Sequence, residues 1–370
     1  MKLRAERTEF TDAVAWATRA IGSRATLPAL SGVLLEATDG KLFCRATDLE
    51  VSTEISIGVQ IDQPGKVLLP GRLLAQLVAR FPDAPVQIDG TGDRVEIVCG
   101  QATFNVHKMI AEDFPELASP ADEATAGVIK SDAFARLVSQ VARAAATDEG
   151  RPVLTGVQLD AADGTLTAAA TDRYRLAVRS LTFEEAVDGN ALVPARSLQE
   201  AAKGAMEVGG SVTVIFEDGQ VSFLLGDRRL TTKLIDGTFP NVKSLLPDAH
   251  ETSVVVDRAG LIEALQRVSI VAQGAANTPV NLTFEDGSVH LQATNLEAGE
   301  AAESLATDTN GEGLTIAFNP AFLLAGLEAT GTEKIRIELR DGLKPAVLKP
   351  QSDDDQVDDL TYLLMPMRVN

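Results

Sequence analysis

One phrase occurs three times along this 370-residue chain. LPALSGVLLEATDGKLFCRATDLEVS (27–52) returns as RPVLTGVQLDAADGTLTAAATDRYRLAV (151–178) and, more faintly, as NTPVNLTFEDGSVHLQATNLEAGEA (277–301). Thr47-Asp48, Thr171-Asp172 and Thr294-Asn295 are spaced by 124 and 123 residues. Downstream, Pro70, Pro194 and Pro320 align three further segments at spacings of 124 and 126. Asp113-Phe114-Pro115 and Thr238-Phe239-Pro240 mark the ends of the first two copies. A period this long is not that of a solenoid, whose units run to about 20–50 residues. Each copy is the size of a domain. The repeat therefore predicts three tandem domains, 1–119, 120–246 and 247–370.

Every copy has the same internal order. An amphipathic helix comes first; Phe134, Leu137, Val138 and Val141 show its three- and four-residue steps. Alternating strands follow, joined at Asp39-Gly40, Asp163-Gly164 and Asp286-Gly287. Asp-Gly between alternating runs signals a hairpin, because both residues tolerate positive φ. A second helix opens near each proline, and further strands close the unit. The expected fold class is α+β: each unit has two helices packed on antiparallel sheets of about eight short strands. Helices are expected over 8–21, 71–80, 130–146, 195–206, 257–272 and 320–330.

The formal charge of −20 argues against a conventional nucleic-acid binder, which neutralises phosphates with Lys and Arg. Its distribution softens that argument. The six helix windows carry ten basic and seven acidic residues, so the remainder of the chain holds all the excess acid. The first two units carry −4 each and the third −12, including Asp353-Asp354-Asp355 and Asp358-Asp359. No apolar run is long enough for a membrane span, and the N-terminus lacks a signal-peptide core, so the expected location is the cytoplasm. Cys44 and Cys99 sit in strand-like contexts and suit a reducing compartment.

Catalytic motifs are missing. His107, His250 and His290 fall at unrelated positions of the repeat, and with two distant cysteines they do not make a metal site. There is no phosphate-binding glycine loop, nucleophile elbow or HExxH helix. The recurring Thr-Asp pairs read as turn chemistry rather than paired acids. The chain is expected to bind rather than catalyse, with no cofactor and no metal.

The tripled unit, the phrase ATDRYRLAV and the terminal YLLMPMRVN together resemble the bacterial sliding clamp family, the β subunit of DNA polymerase III. The resemblance spans the whole chain. It implies that two chains pair head to tail into a ring of six domains around double-stranded DNA, gripped without sequence preference. It also implies a pocket for short linear peptides of the replicative polymerase, the clamp loader and repair proteins. The implied DNA-binding residues are Arg24, Arg72, Arg136, Arg143, Arg151, Arg196 and Lys203. The implied pocket has one wall of Leu154, Thr171, Arg173, Tyr174, Arg175 and Leu176. Pro240, Leu245, Asn319, Phe322 and Leu343 complete it, closed by Leu364, Met365, Pro366, Met367 and Arg368. Arg173-Tyr174 stands where the family commonly has Gly-His. The implied dimer interface sets Phe104 and Val106 against Ile270 and Val271. A second reading is an adaptor of the same fold that binds peptides without encircling DNA.

Overall fold

The computed structural model describes residues 1–22, 26–117, 125–148, 150–272, 278–352 and 359–368. Arg24, Asp353 to Asp355, Asp358 and the terminal Val369-Asn370 lie outside the described residues. Six helices occur among the described residues: α1 Arg7–Ala17, α2 Gly71–Val78, α3 Ser131–Val141, α4 Ala195–Val208, α5 Arg258–Ala272 and α6 Pro320–Thr330. Each overlaps its expected window, with α1 starting one residue before it and α4 ending two residues past it. α1 and α3 end early, each tightening into a short 3₁₀ turn at Thr18–Ala20 and Ala142–Ala144. Helices α2, α4 and α6 start at spacings of 124 and 125, so Pro320 lies one position inside its helix and is not the counterpart of Pro70. Asn319 is that counterpart: its side chain accepts from the amides of Ala321 and Phe322 and caps α6.

The chain forms two compact units. The first comprises Met1–Ala135, Phe183–Val187 and Glu200–Leu234, and the second Arg136–Thr182, Asp188–Gln199 and Ile235–Asn370. The first unit holds two sheets. Five strands run in the order Gln60–Gln63, Lys2–Ala5, Val86–Asp89, Arg94–Cys99, Ala102–His107. Eight more run Ala126–Lys130, Ser211–Glu217, Gln220–Leu225, Arg228–Lys233, Val51–Gly58, Lys41–Thr47, Gly32–Thr38, Gly65–Pro70. The second unit holds one twelve-stranded sheet. Its order is Gly189–Pro194, Gly156–Ala162, Thr165–Thr171, Arg175–Thr182, Leu360–Leu364, Ala346–Gln351, Lys334–Leu339, Thr252–Asp257, Gly299–Asn310, Ser288–Asn295, Val280–Glu285, Leu314–Phe318. All pairings are antiparallel. The compact units differ from the sequence repeats because strands pair across repeat boundaries: Val51–Gly58 of the first copy with Arg228–Lys233 of the second, and Arg175–Thr182 of the second with Leu360–Leu364 of the third.

The recurrent motifs have local causes. Asp39 and Gly40, and Asp163 and Gly164, all have positive φ, as the tight hairpin turn requires. At the Thr-Asp pairs, Thr47 and Thr171 hydroxyls each donate to the carbonyl four residues on, at 2.9 and 2.6 Å, and accept from the amide two residues on. Asp48 and Asp172 each take two further amides. These bonds hold Leu49 and Arg173 at φ 78 and 81, a region unfavourable to side-chain-bearing residues. The third copy keeps only part of the turn, with Asn295 accepting from Glu297 and Ala298.

In the first unit the core gathers on Trp16, Phe10, and the Phe134–Phe223 pair at 5.5 Å. The guanidiniums of Arg19 (4.9 Å) and Arg228 (5.3 Å) both lie over the Trp16 ring, and both arginines bond Glu207. In the second unit Phe284, Phe318 and Tyr362 are fully buried. A Cβ on Gly326 of α6 would come within 2.7 Å of the Tyr362 ring, so glycine sets how closely that helix approaches the sheet.

Candidate functional site: the pocket around Tyr174 and Phe322

The pocket residues expected from the sequence all belong to the second unit. The strained turn at Arg173 presents Tyr174, which is 54% exposed, from the end of the strand that follows. Its ring stacks on Phe322 at 6.2 Å, and the Arg175 guanidinium lies 4.5 Å over the same phenyl ring. Arg173 covers Tyr174 at 5.5 Å. Asp172 orients Arg175 through a 2.9 Å ion pair in which both side chains are largely buried. Phe322 is offered from the first turn of α6 by the Asn319 cap, and its carbonyl accepts from the Tyr362 hydroxyl at 3.2 Å. Burial pushes the Tyr362 phenol up to about 12, so it remains a donor at neutral pH.

The chain end is tied into this cluster. The Met365 amide donates to the Tyr174 carbonyl and the Met367 amide to Ala317, both at 2.8 Å. The tail therefore bridges the Tyr174 turn and the strand leading into α6. Met365 and Arg368 are exposed and Pro366 and Met367 half-buried. These flexible thioether walls beside aromatic rings can adapt to several apolar ligands.

The sheet's alternation separates Leu364 from that opening. Arg175, Leu364 and Ala346 stand opposite one another, as do Ala177, Tyr362 and Leu348 two positions away. Tyr362 packs against α6, so Leu364, fully buried, points to the helix side and offers no open wall. The opposite face carries Leu176, Leu363 and Val347 in one cross-strand row. Leu363 and Val347 were missed by sequence reasoning, because only the cross-strand register places them beside Leu176. Leu154 and Thr171 are buried, and Pro240 is exposed. Leu245 and Leu343 are exposed at 47% and 75%, and Leu245 lines a cleft that also takes in Val347.

The charges expected to meet DNA are unequal. Arg143 is held by Glu328 (3.1 Å) and the Ala325 carbonyl, and Lys203 by Glu200 (2.7 Å). Arg72 donates to the Gly22 carbonyl, and Arg136 is exposed on α3. Arg151 and Arg196 are exposed and have no side-chain partner among the described residues. Elsewhere on the helices, Arg19 and Arg267 also pair with acids, so the basic excess available to a ligand is smaller than the count of ten against seven suggests.

Of the expected interface residues, Ile270 is 62% exposed on α5 and Val271 is half-buried. Phe104 is half-buried and stacks on Phe81 at 5.7 Å. Val106 is only 4% exposed and packs inside its own unit, which leaves it almost no surface for a second chain.

Among the described residues no group of three His, Cys, Asp or Glu side chains is placed to hold a metal ion, and no helix is long and apolar enough to cross a membrane. Family models match the chain from end to end: the DNA polymerase III beta subunit N-terminal domain over 1–118, its central domain over 128–241 and its C-terminal domain over 243–368. A beta sliding clamp of Streptomyces coelicolor is 37% identical over 380 residues, covering all of both chains. The beta sliding clamp homolog GriR of Streptomyces muensis is 33% identical, covering all of this chain and 99% of its own. The crystal structure of the DNA polymerase sliding clamp from Bacillus subtilis superposes with a TM-score of 0.94 at 27% identity, and that of the Pseudomonas aeruginosa clamp bound to griselimycin with 0.92 at 29%, each covering all of both chains. With three successive domain models and full-length relatives in agreement, the chain belongs to the DNA polymerase III beta subunit family, the bacterial sliding clamps.

Proposed function

We propose that two copies of this chain close head to tail into a ring around duplex DNA, and that the ring tethers the replicative polymerase and other partners through the Tyr174–Phe322 pocket. The observation that carries the ring is a pairing rule. The fourth strand of one repeat pairs with the last strand of the next, at Val51–Ile55 with Arg228–Thr232 and at Arg175–Arg179 with Leu360–Leu364. The fourth strand of the third repeat, Gly299–Asn310, uses 299–306 on Ser288–Asn295 and only 307–310 on Thr252–Asp257, which leaves one edge of 299–306 open among the described residues. The last strand of the first repeat, Ala102–His107, pairs only with Arg94–Cys99. Applied a third time, the rule runs Gly299–Glu303 against Ala102–Val106 of a second copy. Done twice, this closes a heterologous ring and pairs both junction edges.

A ring resolves the charge problem. A topological tether needs little affinity, and weak exchangeable phosphate contacts from Arg151, Arg196, Arg72 and Arg136 suit an element that slides without reading sequence. The acidic remainder does not oppose it. The griselimycin complexes of the Pseudomonas aeruginosa and Bartonella birtlesii clamps support a ligand site in this family. In this reading the protein is a non-catalytic processivity factor of the cytoplasm, built from domains 1–119, 120–246 and 247–370. Retention on nicked circular DNA, with release on linearisation, tests encirclement; equal retention on both forms would refute it. Light scattering tests the adaptor alternative, which requires a monomer at micromolar concentration.

A further inference from the structure

The helices repeat as faithfully as the strands, and the repeat relates the side chains that face each other where one copy meets the next. Trp16, Gln140 and Arg267 are each the tenth residue of the first helix of their copy, α1, α3 and α5. At the two internal junctions this residue meets the tenth position counted from the start of the next copy's second helix. Trp16 packs on Gly204 of α4, where a Cβ would lie 2.5 Å from the indole, and the Gln140 amide donates to the Ala329 carbonyl of α6 at 2.7 Å. Both side chains are buried and plug their junctions. The third copy breaks this pattern. Arg267 is exposed and forked onto Glu303 at 2.9 and 2.6 Å, with Glu263 at 3.4 Å. Two acids surround one cation, so the group keeps one unit of negative charge.

We propose that Arg80 of a second copy completes this group across the ring junction, and that the resulting cluster of Arg267, Glu303, Glu263 and Arg80 makes dimerisation depend on ionic strength. The proposal rests on the head-to-tail ring. Counted from Gly71 at the start of α2, the tenth position is Arg80, the counterpart of Gly204 and Ala329. Arg80 is exposed just past α2, donates to the Gln76 carbonyl at 3.2 Å and has no carboxylate partner among the described residues. The paired strand offers no competing cation. At the first internal junction Ile55 stands opposite Arg228, which reaches Asp12 and Glu207, both at 2.6 Å. Asp12 precedes Trp16 by four residues, as Glu263 precedes Arg267. At the ring junction the register places Ala102 opposite Glu303, so the strand brings alanine where Arg228 stood, and the matching cation comes from the end of α2. Salt screens an exposed cluster of this kind and leaves a buried tryptophan plug untouched.

Sedimentation equilibrium of the full-length chain across a salt series tests the idea. The dimer Kd should rise with salt. Arg80→Gln should raise it about tenfold at low salt, flatten its salt dependence and converge on the native value at high salt. Arg80→Lys, which keeps the charge, should restore most of the slope. Glu303→Gln should weaken the dimer as well, and adding Arg80→Gln to it should change little more, because the two residues act through one interaction. An unchanged Kd and slope in Arg80→Gln, or fully additive losses in the double variant, overturns the proposal. The ring has its own readout in a Thr103→Cys/Ala302→Cys disulfide, which forms across the junction whether or not Arg80 takes part. A crosslinked dimer indifferent to Arg80→Gln overturns this proposal alone; absence of the crosslink overturns the ring and the proposal with it.

Discussion

Ring closure can be trapped covalently. The two internal junctions pair Glu54 with Arg229 and Val178 with Thr361. Carried to the open edges, the same register sets Ala302 opposite Thr103 of the second chain, and both residues are exposed. Directly opposed residues of an antiparallel pair have Cα atoms about 4.5–5.5 Å apart, inside the roughly 4.4–6.8 Å that a disulfide spans. A slip of two residues moves the partner to a diagonal about 7–8 Å away, outside that range. The Thr103→Cys/Ala302→Cys double variant should therefore oxidise to a covalent dimer on a non-reducing gel, and each single variant should not. Native Cys44 and Cys99 are buried, and burial raises both thiols, so they should not compete. Oxidised rings already loaded on nicked circles should survive high salt and be released by reductant or linearisation. A double variant that stays monomeric while its new thiols remain titratable would refute the pairing rule, and efficient crosslinking in either single variant would show a symmetric edge instead.

Three further outcomes are expected. Phe322→Ala removes the ring that Tyr174 and Arg175 cover, and should weaken peptide binding by about 1–3 kcal/mol in calorimetry without disturbing the dimer. Gly326→Ala should cost about 1–3 kcal/mol in urea unfolding, because a methyl must displace the Tyr362 ring. Although partial burial opposes it, hydrogen bonds from Arg19 and Arg228 hold Glu207 below the usual carboxylate range. A depressed carboxyl contributes stability above its unfolded value, about 4.3, and loses it as pH falls through the folded one. Glu207→Gln should thus be less stable than native at pH 7, with the two urea midpoints converging in acid.

The order of helices and strands was legible because each element appears three times, so a weak signal in one copy is supported by the others. The Asp-Gly turns and the Thr-Asp motif were legible for the same reason, since their chemistry is local. Partnership between distant charges was not. Nothing near Arg143 in sequence announces Glu328. Leu364 was misread because the terminal run Leu363-Leu364-Met365 is apolar on both faces, and only the register against Arg175 and Leu176 tells which leucine faces α6. Compact units that cut through the second repeat were likewise out of reach, because cross-repeat strand pairing leaves no mark in a repeat's own sequence.

The open edge at 299–306 also has to avoid a wrong partner. Two copies of that edge laid against each other would bring Glu300 and Glu303 of one chain near those of the other, and only Glu303 has a cation, Arg267, to offset the repulsion. The Ala102–His107 edge carries no acid at all. One strand is acidic and its complement uncharged, so like edges repel while unlike edges do not. The chain can thereby prefer the head-to-tail junction over symmetric pairing of like edges before any DNA is present.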